Sequence, residues 1–321
     1  MKLIFSILCM LSTAIISHTL TAATADTLKI SSPVKLETAT GVIHGTLLVP
    51  ANKNNIPLVI LIAGSGPTDR DGNTGPLKNN SLKMLARELA NNGIATLRYD
   101  KRGIAASKDA GKAEKNLRFE DYITDAAAWV TQFRADKRFS KIIIAGHSEG
   151  SLIGMIAANN AKADAYISLA GIGQPASKTL KTQFQSQSFG ISQVVDPIID
   201  SLAMGMTVKK VPPALTAVFR PSVQPYLISW FKYDPAAEIK KLTIPTLIIQ
   251  GINDIQVSTD DAKTLAAAQP KATLVLIDGM NHIFKPAPAD RGQNFATYKD
   301  PALPLTPELV PKVTSFIQNL K

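Results

Sequence analysis

The chain of 321 residues reads as an α/β protein, a mostly parallel doubly wound sheet with an inserted helical segment. Three observations predict this. Short β-rich runs alternate with stretches of helical periodicity along most of the chain. The later runs are apolar throughout, as in Leu58-Val59-Ile60-Leu61-Ile62, which suits strands covered on both faces. Finally, Gly146-His147-Ser148-Glu149-Gly150 lies between the apolar run Lys141-Ile142-Ile143-Ile144-Ala145 and a helical run, so its G-x-S-x-G pattern sits at a strand-to-helix turn.

Taken in order, residues 1–25 read as a signal peptide. Met1-Lys2 is followed by an apolar stretch too short and too interrupted for a membrane span, then by Ala23-Thr24-Ala25, a small-residue site predicting cleavage after Ala25 and export to the periplasm or medium. The one cysteine, Cys9, falls in this segment, and Leu8 before it does not suit lipidation, so the mature chain folds without disulfides. Strands are expected at 42–49, 58–63, 94–99, 142–145, 165–169, 246–250 and 273–277, the earliest forming an antiparallel edge. Helices are expected at 81–91, 119–134, 149–160, 258–268 and 307–319. Leu82, Leu85 and Leu89 share one face of the first, and Asn92-Gly93 stops it. The core is thus divided into 26–171 and 243–321. Between them, 172–242 reads as a helical lid, placed after a strand where it overhangs the carboxyl ends of the sheet.

Lys and Arg number 35 against 25 Asp and Glu, a net charge of +10, but the basic residues are scattered and no Arg cluster interleaves with aromatics. Nucleic acid is therefore not an expected partner. No metal or cofactor is called for, and oligomeric state is not legible.

The chemistry is expected at Ser148. A serine hydroxyl needs a base within hydrogen-bond reach, and the base needs an orienting acid. Of four histidines, His18 is in the signal, His44 is in an early strand and His147 is fixed on the turn itself. His282, in the loop Gly279-Met280-Asn281-His282 after the last strand, remains as base. Asp254, in the loop after the preceding strand, is the expected acid; Asp260 and Asp261 read instead as first-turn helix residues and Asp278 as a turn residue. A tetrahedral intermediate also needs two backbone donors. The Glu149 amide is one, and Ser65 in Gly64-Ser65-Gly66-Pro67 is the other, with Gly66 as the alternative. A phosphate loop is excluded because the GK[ST] ending is missing.

These segments, with Asp69-Arg70-Asp71-Gly72, Arg98-Tyr99-Asp100-Lys101-Arg102-Gly103 and Asn281-His282-Ile283-Phe284, resemble the α/β-hydrolase fold family, and within it the bacterial serine esterases and acyl hydrolases. Ile104-Ala105-Ala106-Ser107 departs from it, lacking the glycine and lysine with which related folds often continue. The resemblance implies hydrolysis of a small-molecule carboxylic ester through an acyl-enzyme. Asp100 and Arg102 read as scaffold residues that could pair with the acidic oxyanion loop, a direct contact with substrate being the alternative. A serine peptidase could use the same triad, and would be favoured by acidic residues in the insertion able to hold a substrate amine. A non-catalytic binding protein could use the same scaffold. The insertion's Phe184, Phe189, Phe219, Tyr226, Trp230 and Phe231 suit either an apolar pocket or the packing of the lid.

Overall fold

The computed structural model describes residues 29–51, 53–186 and 190–321; the expected signal segment, with Cys9 and His18, and Phe189 lie outside the described residues. The strands are Lys29–Thr38 (β1), Gly41–Pro50 (β2), Ile56–Ile62 (β3), Ala95–Tyr99 (β4), Phe139–His147 (β5), Ala165–Leu169 (β6), Thr246–Gly251 (β7) and Thr273–Ile277 (β8). They form one sheet in the order β1-β2-β4-β3-β5-β6-β7-β8. β1 and β2 are antiparallel to their neighbours and the remaining pairings are parallel, as the alternating early and continuous later runs predict. β1 was not expected as a strand. Its apolar residues Ile30, Val34 and Leu36 share one face but are interrupted by Ser31-Ser32-Pro33, and only Leu36 is buried; its pairing with β2 holds it extended.

The expected helices appear as Ser81–Asn91 (α1), Phe119–Arg134 (α2), Glu149–Asn160 (α3), Thr259–Ala268 (α9) and Leu309–Gln318 (α11). Ser258 caps α9 rather than joining it, its hydroxyl accepting from the Asp261 amide. Between β6 and β7 lie five short helices, Ala176–Gln185 (α4), Ser192–Ala203 (α5), Thr216–Phe219 (α6), Gln224–Phe231 (α7) and Pro235–Ile239 (α8), and a further one, Arg291–Ala296 (α10), follows β8.

Alternation along β3 explains its continuous apolar sequence. Leu58, Ile60 and Ile62 belong to a core on the face covered by α2 and α3, whereas Val59, Leu61 and Ala63 belong to one on the face covered by α1 and α11. Helix α3 is apolar nearly all round, with ten of its twelve residues buried, because it is enclosed between the sheet and neighbouring helices. The aromatic cluster of the insertion anchors it: Trp230 stacks on Phe119 of α2 at 6.0 Å between ring centroids, and Tyr226 meets Tyr122 edge-on at 5.7 Å.

The turn from β5 into α3 is the tightest point of the fold. A Cβ on Gly146 would lie 2.0 Å from the Gly150 carbonyl oxygen, and one on Gly150 would lie 2.5 Å from that of Ile62. Both contacts are with backbone, so no side chain can turn aside to relieve them. Gly150→Ala is therefore expected to cost roughly 3 kcal/mol, the upper end for overpacking. The urea unfolding midpoint measures this; an unchanged midpoint would contradict the close packing of α3 on β3.

Candidate active site

Five loops leave the carboxyl ends of β3, β4, β5, β7 and β8 on one edge of the sheet, and each carries part of the site. Ser148 is in the turn after β5, partly exposed, with φ 56° and ψ −120°. A non-glycine residue in this region costs about 1–3 kcal/mol and persists only where its surroundings over-determine it. Here the Ser148 amide donates to the Leu169 carbonyl at 3.0 Å, and its carbonyl accepts from the Ser151 amide at 3.0 Å.

His282 and Asp254 are brought together from the loops after β8 and β7. His282 Nδ1 is 2.8 Å from Asp254 Oδ2, with side chains 5% and 0% exposed. That oxygen also accepts from Gln250 Nε2 at 2.9 Å, while Oδ1 accepts from the Gln256 and Val257 amides at 2.7 and 2.9 Å. Burial opposes ionisation of Asp254, but the neighbouring His282 and these hydrogen bonds outweigh it and hold the carboxyl below its ordinary pKa. The competing acids are spent elsewhere. Asp261 completes the capping box of α9 and accepts from the Gly173 amide, Asp260 pairs with Lys263, and Asp278 accepts from the amide of Gly279.

The expected oxyanion residues converge on Ser148. Gly64 faces it, since a Cβ there would lie 3.3 Å from that of Ser148. Ser65 and Glu149 line one cavity with it. The Glu149 amide opens α3 and so has no partner within the helix. The Glu149 carboxylate, which sequence reasoning set aside, is buried, lying 3.0 Å from Lys101 Nζ and accepting from the Tyr226 hydroxyl of α7. Burial and the facing carboxylate push the Tyr226 phenol well above its ordinary pKa, keeping it a donor.

His147 is engaged with the loop of His282: its Nε2 donates to the His282 carbonyl at 2.9 Å and its ring meets Phe284 at 4.8 Å, so it braces that loop. Asn281 does the same from within, its Oδ1 accepting from the Ile283 and Lys285 amides. Asp100 pairs with Arg70 of the loop after β3 at 2.7 Å, whereas Arg102 turns away to Asp125 of α2. His44 stays on β2, its amide bonded to Ser107. The departing segment keeps a left-handed turn without glycine, at Ala105 with φ 43°.

Two cavities meet at Ser148, and Ser65, Gln183 and Gln256 border both. One, of about 350 Å³, lies under the insertion and is lined by Ile172, Leu180, Val218, Leu227 and Trp230. The other, of about 300 Å³, opens toward Thr68, Asn79, Arg291 and Tyr298 and also contains His282. Phe184 and Phe219 pack on each other at 5.6 Å. Among the described residues, no group of three or more His, Cys, Asp or Glu side chains could hold a metal ion, and no helix is long and apolar enough to cross a membrane.

Comparison with known proteins agrees with this fold. The sequence model of the family described as serine aminopeptidase, S33, matches residues 79–217. Esterase EstD of Thermotoga maritima is 29% identical over 243 residues, 74% of this chain; the chain spans 57% of that relative's length. Among solved structures, Est1E from Butyrivibrio proteoclasticus superposes with a TM-score of 0.59 at 20% identity, covering 90% of this chain and 99% of that one. The α/β hydrolase GrgF from Penicillium sp. sh18 gives 0.60 at 18% identity, covering 91% and 99%. With its sheet order, its turn after β5 and these likenesses, the chain has the α/β-hydrolase fold.

Proposed function

We propose that the protein is an exported serine hydrolase that cleaves carboxylic esters through an acyl-enzyme. The observation that carries this reading is the Asp254–His282 contact beside Ser148, held in strained backbone at the same cavity. With Nδ1 given to Asp254, His282 has Nε2 for the Ser148 hydroxyl. Ser148 Oγ attacks the ester carbonyl carbon and its proton passes to Nε2. The oxyanion is received by the Ser65 and Glu149 amides. Collapse of the tetrahedral intermediate breaks the bond to the alcohol, which takes the proton from His282. Water then attacks the acyl-enzyme by the same route and releases the acid.

The linings support esters over aminopeptidase substrates. Among the described residues, Glu149 is the one acidic residue lining the two cavities, and Lys101 and Tyr226 occupy its carboxylate. In the insertion, Asp200 pairs with Lys181, Glu238 pairs with Lys241 and Asp234 caps α8, while Asp196, whose Oδ1 is buried without a hydrogen-bond partner among the described residues, lines neither cavity, so none of the four is placed at Ser148 to receive a free α-amine. The likeness to a protein named an esterase supports the same choice. We read segment 172–242 as the lid, with the lobe beneath it taking an apolar acyl or aryl group and the lobe toward Arg291 the more polar part of the ester.

His147 serves this chemistry by staying uncharged. Burial, reinforced by the charge of His282, lowers its pKa to about 3, so no second cation forms beside His282 when that ring takes the serine proton.

Ser148→Ala and His282→Ala are each expected to lower kcat on short p-nitrophenyl esters by about 10³-fold or more, with Asp254→Asn close behind. Full activity in either alanine variant would refute the assignment, and release of an aminoacyl arylamide at a comparable kcat/KM would overturn the choice of ester. The His147 shift also makes stability depend on pH. Its pKa in the unfolded chain is about 6.5, so between there and about 3 the unfolded state binds more protons. The resulting stabilisation is complete above pH 6.5 and is lost progressively on acidification. Urea midpoints between pH 7 and 4 should therefore fall less steeply for His147→Gln than for the wild type; equal slopes would contradict a neutral buried ring.

A further inference from the structure

We infer that Lys101 is a positioning residue that aims both oxyanion amides. This rests on the assignment of the Ser65 and Glu149 amides above. Lys101 stands at the carboxyl end of β4 and is 1% exposed, an environment that an ammonium tolerates only when its donors are matched. Its three N–H groups have three acceptors. Nζ is 2.6 Å from the Gly64 carbonyl oxygen, 3.0 Å from Glu149 Oε2 and 4.9 Å from the centre of the Tyr122 ring.

The first contact sets the direction of an amide. The Gly64 carbonyl and the Ser65 N–H belong to one planar trans peptide unit, so they point in opposite directions. Holding the oxygen on the Lys101 side turns the Ser65 N–H away from it, toward the cavity that Ser65 shares with Ser148. Gly64 has no side chain to fix that plane, and glycine would otherwise let the peptide rotate. The second contact grips the residue that supplies the other amide, since Glu149 is anchored through its side chain at the first position of α3. One buried cation thus couples the loop after β3 to the start of α3. An amide that must meet a developing oxyanion is useful only if it is already oriented, because reorientation during reaction would consume the stabilisation it provides.

The test is Lys101→Met, together with Lys101→Met/Glu149→Gln, which leaves no unpaired buried charge and so keeps the fold accessible. For the folded proteins, kcat on a p-nitrophenyl ester is expected to fall about 10- to 100-fold, approaching the loss of a whole oxyanion donor, with KM within about twofold. Affinity for a trifluoromethyl ketone, which forms a charged tetrahedral adduct with Ser148, should fall by the same factor as kcat/KM, while affinity for the corresponding unfluorinated ketone should hold. A folded double variant with wild-type kcat, or one losing kcat without losing affinity for the fluorinated ketone, would overturn the inference. An inactive wild type that a fluorophosphonate does not label would instead refute the hydrolase assignment itself.

Discussion

The rest of the site depends on the close approach of the first turn of α3 to β3 and β5. Gly150 presses on the carbonyls of Ile62 and Ala63, and Gly146 on that of Gly150, so the chain between them must turn within three residues. That constraint drives Ser148 to positive φ, leaves the Glu149 amide at the mouth of the helix and directs the Glu149 side chain into the protein. The strain at Ser148 is a small fraction of the apolar burial around it, since α3 is enclosed by both sheet and helices.

Two buried carboxylates, those of Asp254 and Glu149, are set apart by their partners. Asp254 accepts two backbone amides, a glutamine amide and the imidazole, a donor set that favours its ionised form and fixes which ring nitrogen faces away. Glu149 instead accepts from an ammonium and a phenol that belong to two other parts of the chain. In the proposed mechanism the first arrangement governs a proton and the second governs geometry.

Much of this was legible in the sequence where local chemistry and long-range structure agree. The elbow glycines follow from backbone sterics, the apolar strands from burial on both faces, and His282 and Asp254 from elimination of the other candidates and from their loops after successive strands; the structure places Ser148, Asp254 and His282 at one sheet edge. What was not legible depends on partners distant in sequence. Lys101 and Glu149 are separated by 48 positions, His147 and His282 by 135, and nothing local distinguishes a buried ion pair or a bracing imidazole from a surface charge or a packing ring. Gln250 lay unnoticed in an apolar strand, although a polar residue among Leu247, Ile248 and Ile249 signals a buried partner. β1 was missed for another reason: Ser31-Ser32-Pro33 interrupt its alternation of Ile30, Val34 and Leu36 with polar residues, and among the described residues it pairs with β2 alone.

That last strand also bears on how the molecule behaves among copies of itself. A sheet whose margin is long, flat and apolar offers its open backbone to any chain that meets it. Here the margin is written in Ser31, Ser32, Pro33, Lys35 and Glu37, with a proline that has no N–H to give and charges that would have to be stripped of water before a second strand could add. The same residues that hide β1 from pattern reading make it a poor template for aggregation.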